Sequence, residues 1–244
     1  MIRVEHLYKR FGAVTAVSDV SFVAPDGAVT GLLGPNGAGK TTTLRMLYGL
    51  MRPDQGRILV DEVDAVAHPQ QAQACLGVLP DVSGLYPRLT AREHILYYGE
   101  LQGITGRALA GRTDELLRLL DMSAIADRRT AGFSHGERTK VALARALVHD
   151  PPNVLLDEPT NGLDVMSTRA VRDIIRRLKA DRRTVVFSSH VMQEVSALCD
   201  TIIVLAHGRV VASGSPDALR EQTGCENLED AFVALAGLYP EAGA

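Results

Sequence analysis

The chain of 244 residues carries 26 basic against 29 acidic side chains, a net charge of −3, with 46% apolar and 23% charged residues. That length and balance exclude a collagenous, low-complexity or largely disordered chain, and fit one large domain, or one with a subordinate lobe, able to bury a core. No global positive excess argues for nucleic acid or an anionic membrane surface. The longest apolar run, Ala231 to Tyr239, ends at Pro240 and falls short of the roughly 18 residues of a membrane-spanning helix, so a soluble chain is expected. Met1 to His6 has no apolar leader and reads as a cytosolic start. Cys75, Cys199 and Cys225 are odd in number, far apart and without metal-binding spacing, as reduced thiols would be.

In chain order, Ile2 to Tyr8 and Ala13 to Phe22 predict two short strands joined through Lys9-Arg10-Phe11-Gly12, a β-rich edge. Ala28 to Leu33 predicts an apolar strand running into a glycine-rich loop, and Thr41 to Leu50 the helix after it. Pro53-Asp54-Gln55-Gly56 predicts a turn before a strand over Arg57 to Val60. Thr90-x-x-Glu93 is a capping box that opens a helix with Ile95, Leu96, Gly99 and Leu101 at helical spacing; a second helix spans Arg107 to Leu120. No strand pattern interrupts Thr90 to Ala131. Beyond it helices over 137–148, 165–180 and 191–198 alternate with strands over 154–156, 184–187 and 202–205, which predicts a largely parallel α/β sheet. Asp217, Glu221, Glu226, Glu229, Asp230 and Glu241 outnumber Arg220 in the tail, where Leu228 to Leu238 predicts a closing helix. The predicted organisation is one domain over 1–244. Its core and β edge occupy 1–89 and 132–215, a helical subdomain 90–131, and a C-terminal helical tail 216–244.

Gly34-x-x-x-x-Gly39-Lys40-Thr41 matches the Walker A pattern, flanked by the strand and helix that it requires. In such a loop the backbone of Gly34, Pro35, Asn36, Gly37, Ala38 and Gly39 and the first turn at Lys40, Thr41 and Thr42 wrap a polyphosphate. Lys40 meets the β- and γ-phosphates and the Thr41 hydroxyl meets Mg²⁺. Val154-Leu155-Leu156-Asp157 is an apolar strand ending in a carboxylate, as expected of Walker B, where Asp157 holds the metal. Glu158 stands where a carboxylate orients water for in-line attack. The fold class is therefore α/β: a P-loop NTPase core with a mostly parallel sheet, an N-terminal antiparallel β edge and an inserted α-helical subdomain. The glycine loop occurs once, and no Asn-Lys-x-Asp guanine motif accompanies it.

Between the two motifs, Phe133-Ser134-His135-Gly136-Glu137 precedes a helix, and Ser134-x-x-Glu137 is itself a capping box. With this segment the chain resembles, over nearly its whole length, the nucleotide-binding subunit of ABC transporters. The resemblance implies ATP and Mg²⁺ as ligands. It also implies a homodimer, in which Ser134 and Gly136 of the signature segment face the γ-phosphate bound by the partner subunit. It sets Phe11 against adenine, with packing in the strand turn as the alternative. Asp164, in Asn161-Gly162-Leu163-Asp164, falls at the dimer-crossing loop and also at a helix N-cap. His190 falls at the switch histidine beside the γ-phosphate. Asp81 replaces a metal-contacting glutamine, and His135 replaces a signature glycine, where its ring either crowds the phosphate or adds a cationic contact.

Gly84 to Glu93 and the signature variant resemble the sodium-efflux branch of bacterial exporters. This implies an ATPase that powers export through a separate integral-membrane permease, bound peripherally on the cytoplasmic face of the inner membrane, with Leu85 and Tyr86 either docking or packing internally. A cassette acting on nucleic acid or the ribosome is the alternative. Arg169, Arg172, Arg176, Arg177, Lys179, Arg182 and Arg183 support it, but they also read as a solvated face opposite Val171, Ile174, Ile175 and Leu178. Neither a long coiled-coil insertion nor a second cassette is present, so no nucleic acid partner is expected.

Overall fold

Alternating apolar residues at the N-terminus build a hairpin from β1 (Ile2–Phe11) and β2 (Val14–Ala24), paired antiparallel out to Phe11 and Val14. β1 runs past its expected end at Tyr8 to Phe11 because Gly12, at a positive φ of 58°, closes the turn; β2 begins one residue late, at Val14, and runs on past Phe22 to Ala24. Then follow β3 (Val29–Leu33), α1 (Lys40–Leu47), β4 (Gln55–Val60), β5 (Val63–Asp64), α2 (Pro69–Ala74) and β6 (Leu76–Leu79). The helical stretch holds α3 (Ala91–Leu101), α4 (Gly106–Leu119) and α5 (His135–Leu147). The chain continues through β7 (Asn153–Asp157), α6 (Val165–Ala180), β8 (Thr184–Ser189), α7 (Met192–Leu198), β9 (Thr201–Ala206), β10 (Arg209–Gly214), α8 (Pro216–Thr223) and α9 (Leu228–Leu235). This computed structural model describes residues 1–82 and 84–237. The expected extension of the closing helix to Leu238 reaches a residue outside them.

One sheet has the order β2-β1-β4-β5 and is antiparallel throughout; the other has the order β10-β9-β3-β8-β7-β6 and is parallel except for β10. The parallel strands are buried on both faces, and their alternation sorts side chains into two cores. Leu32, Leu155, Val186 and Ile203 join Leu44 and Leu47 of α1 and the apolar face of β1 and β2. Leu33, Leu156, Phe187 and Val204 pack instead with Ile95, Leu116, Val141 and Ile174 on α3 to α6. The helical stretch therefore shares its core with the sheet. Its helices start where the capping boxes at Thr90/Glu93 and Ser134/Glu137 predict, with both reciprocal bonds formed in each. Among the described residues no helix is long and apolar enough to cross a membrane, and Cys75, Cys199 and Cys225 are free thiols.

Four elements had no pattern of their own in the sequence: β5, α2, β6 and β10. The short β6 carries Gly77, and α2 begins at Pro69, so neither shows a period. At Gly77 α5 lies directly against the sheet, since a Cβ there would stand 2.3 Å from the Ala146 carbonyl oxygen. Backbone cannot yield as a flexible side chain can, so Gly77→Ala is expected to cost about 1–3 kcal/mol. Chemical denaturation would show this as a lower midpoint with an unchanged slope.

Candidate functional site

Parallel strands present their C-terminal ends on one side of the sheet, where open α/β folds bind ligands. Here those ends deliver Gly34 after β3, Asp81 after β6, Asp157 and Glu158 at β7 and His190 after β8. They border a cleft of about 630 Å³ lined by residues 35–42, Phe11, Asp81, Glu158, Asn161 and His190. Two glycines fit the loop against its neighbours. A Cβ on Gly34 would lie 2.4 Å from the Leu205 carbonyl oxygen; on Gly39, at φ 99°, it would lie 2.6 Å from that of Ala16. Gly39 is the N-cap of α1 without a side-chain cap, and no acidic residue occupies the first turn. The helix thus offers uncapped N–H groups and the positive end of its dipole to an anion.

Lys40 is 6% exposed and its Nζ donates to the Gly34 carbonyl at 2.7 Å, with Glu158 Oε1 at 3.4 Å. Below it the Thr41 hydroxyl donates to Asp157 Oδ1 at 3.2 Å and that of Ser188 donates to the same oxygen at 2.6 Å. Burial pushes the Asp157 carboxyl above the ordinary range, against the hydrogen bonds from Ser188 and Thr41 and with the negative charges of Asp81 and Glu158. Its Oδ2 is buried without a hydrogen-bond partner. An orphaned carboxylate oxygen beside a hydroxyl is a hard-donor pair that suits Mg²⁺. Among the described residues no cluster of three or more His, Cys, Asp or Glu side chains is set to hold a metal. Glu158 has a positive φ of 47°, its N–H donates to Ser188 Oγ at 2.9 Å, and its Oε2 lies 3.0 Å from His190 Nδ1.

Phe11 is 48% exposed at the cleft rim, with Lys9 Nζ 5.9 Å from its ring centre, so packing in the strand turn does not account for it. Ser134, Gly136 and Asp164 do not line this cleft. Ser134 is exposed as the N-cap of α5. Gly136 makes room for α6, since a Cβ there would stand 2.3 Å from Ser167 Oγ. Asp164 caps α6 by accepting from the Ser167 N–H at 2.8 Å. The His135 ring turns to the Asn161 carbonyl at 2.9 Å. Leu85 is buried in the helical core, whereas Tyr86 is half exposed and stacks on His94. Arg172, Arg176, Lys179 and Arg183 of the basic run pair with Glu194, Asp173, Asp200 and Asp150.

Sequence reasoning missed Ser188 and Asn161. Ser188 carries no motif of its own; it becomes important because it lies opposite Asp157 in the register of β7 and β8. A polar residue closing an apolar strand was the one available signal.

A family-wide sequence pattern described as "ABC transporter" matches residues 17–161. The chain is 45% identical over 222 residues to "ABC transporter ATP-binding protein NatA" of Bacillus subtilis, covering 91% of this chain and 90% of that protein. It is 39% identical over 222 residues to "Nod factor export ATP-binding protein I" of Burkholderia lata, covering 91% and 73%. Among solved structures, "Structure of ATP binding subunit of ABC transporter" superposes with a TM-score of 0.88 at 30% identity, covering 96% of this chain and 99% of the other. A dimeric bacterial ABC transporter cassette shares the fold at a TM-score of 0.80 and 24% identity, over 88% and 98%. Because Ser188 bonds both Asp157 and the Glu158 N–H, Ser188→Ala is expected to lower unfolding free energy by about 1–3 kcal/mol, read by denaturant titration.

Proposed function

Because the chain belongs to the ABC transporter family as an ATP-binding, ATP-hydrolysing subunit, we propose that two copies close on two ATP molecules and drive export through a separate integral-membrane permease. The observation that carries this reading is one cleft in which Lys40, the Thr41–Asp157 pair and the Glu158–His190 pair converge, while Ser134 stands outside it on the surface. Residues 34–42 wrap the phosphates and Lys40 faces the β- and γ-phosphates. Phe11 stacks on the base. Thr41 and Asp157, with Asp81 beside them, would hold Mg²⁺, whose charge offsets that of the phosphates when it is bound. Glu158 accepts a proton from the attacking water at its carboxylate, and His190 Nδ1 fixes the direction of that carboxylate. Ser134 and Gly136 meet the phosphate held by the partner copy, and Asp164 sits where the two copies cross.

The Nod factor export relatives support export. Sodium efflux rests on the resemblance of Gly84 to Glu93, and solute choice belongs to the permease. Tyr86 and Val82, both exposed, are the docking side chains, and residues 90–131 act as the lobe against which Tyr86 packs, through His94 and Tyr97 of α3. The working position is the cytoplasmic face of the cell membrane.

Glu158→Gln is expected to keep ATP affinity within about threefold and to lower turnover about 10²- to 10⁴-fold, measured by equilibrium binding and phosphate release. Turnover at the wild-type rate would remove Glu158 from the base role. A composite site predicts complementation. Lys40→Ala and Ser134→Arg chains, each inactive alone, should on mixing recover roughly a quarter of wild-type activity, since half of random dimers then hold one intact site. No recovery where wild-type chains dimerise would overturn the shared site.

A further inference from the structure

Glu194 is a buried carboxylate on α7 that the mechanism above does not use. It is 4% exposed, Thr160 Oγ1 donates to its Oε2, and its Oε1 lies 3.5 Å from Arg172 Nη2 on α6. A charge so buried is retained only when it is paired and hydrogen-bonded, and here both oxygens are engaged. Thr160 belongs to the segment that opens with Glu158. The α7 region therefore holds that segment at two points: His190, just before the helix, meets Glu158 Oε2 at 3.0 Å, and Glu194, one helical turn further on, meets Thr160.

The segment needs such a hold. At φ 47° Glu158 occupies a left-handed conformation that a side chain disfavours, and such strain persists only where the surroundings over-determine it. On the near side the Glu158 N–H donates to Ser188 Oγ at 2.9 Å. Beyond it the Asn161 N–H donates to the Glu158 carbonyl at 3.1 Å, and the Thr160 hydroxyl reaches Glu194. Pro159 stands between and has no N–H to contribute. Removing the Thr160 anchor lets Glu158 relax towards an ordinary backbone conformation and draws its carboxylate away from His190.

We propose that Glu194 is a positioning residue which, through the Thr160 hydroxyl and with Arg172 balancing its charge, holds Glu158 in its strained conformation facing His190. This rests on the reading of Glu158 as the base. Its test is steady-state hydrolysis of MgATP by the full chain carrying Thr160→Val, Thr160→Ser, Glu194→Gln or Glu194→Ala, with a thermal midpoint for each. Thr160→Val, which keeps the shape and loses the donor, should lower kcat about tenfold with KM within about twofold, while the midpoint falls by about 2–10 °C, as one buried Glu194 oxygen loses its donor, and the chain stays folded at the assay temperature. Thr160→Ser should restore kcat. Glu194→Gln, which still offers an acceptor, should retain more kcat than Glu194→Ala. In a His190→Ala background Thr160→Val should add less than about a twofold loss, because both contacts act on one carboxylate. Additive losses, or a wild-type kcat for Thr160→Val where Glu158→Gln is inactive, would overturn the clamp alone. Wild-type turnover by Glu158→Gln would instead overturn the base assignment and the clamp with it.

Discussion

Burial of the parallel strands on both faces is the constraint on which the rest depends. A strand with an apolar core above and below it cannot slip by one residue without exchanging its two faces, so the register of β6, β7, β8, β3 and β9 is fixed. That register sets Asp157 opposite Ser188 and Leu33 opposite Ser189, and thereby brings the Walker A loop, the acidic pair and His190 to one edge. Crossover connections supply the two helical layers, and the antiparallel sheet covers α1 from the other side. The chemistry collects at the strand ends because only there does the backbone leave the sheet.

Local rules fail where the chemistry is. The N-cap of α1 is a glycine with no side-chain bond, Glu158 is held at positive φ, and Asp157 keeps a buried oxygen without a partner. By contrast α3, α5, α6, α8 and α9 all begin on side-chain caps. Each departure is destabilising alone and each kind recurs elsewhere, as in the uncapped starts of α2, α4 and α7 and the positive φ of Asp150 and His207; here the three kinds meet at one end of the sheet. Uncapped N–H groups and Lys40 supply positive potential, and the Asp157 oxygen supplies negative charge beside them.

What the sequence makes legible follows from range. The glycine loop, the capping boxes and α6 at 165–180 are local patterns, and the structure has them where the spacing indicates. The apolar runs of β7 and β8 read as buried strands for the same reason. Contacts between distant segments are another matter. Ser188 bonds Asp157 and Glu194 holds Thr160 only because the sheet and α7 bring them together, and no spacing along the chain encodes either pair. For Phe11 the turn at Gly12 extends β1 and leaves the ring half exposed, an outcome that no local pattern around it encodes. The short β6 was invisible because Gly77 is chosen for the approach of α5, a requirement of packing with no periodic trace.

The two helix N-termini with phosphate roles in the proposed dimer differ in a way that fits their division of labour. At α1 no side chain among the described residues caps the N–H groups, so this end suits the phosphates held throughout the proposed cycle. At α5 the Glu137 carboxylate accepts from the Ser134 N–H at 2.8 Å, and its other oxygen is paired with Arg128 at 3.2 Å. That pairing offsets the negative charge that would otherwise repel an incoming phosphate. Ser134 Oγ caps the helix by accepting from the Glu137 N–H at 3.2 Å, which uses a lone pair and leaves the hydroxyl hydrogen free to donate outward. An exposed, capped and charge-compensated terminus keeps α5 folded while the copies are apart and still offers one donor when they close. His135, turned onto the Asn161 carbonyl, ties that terminus to the segment that begins at Glu158. The surface that the proposed dimer offers to the partner's phosphate is therefore joined, within one chain, to the proposed base of its own site.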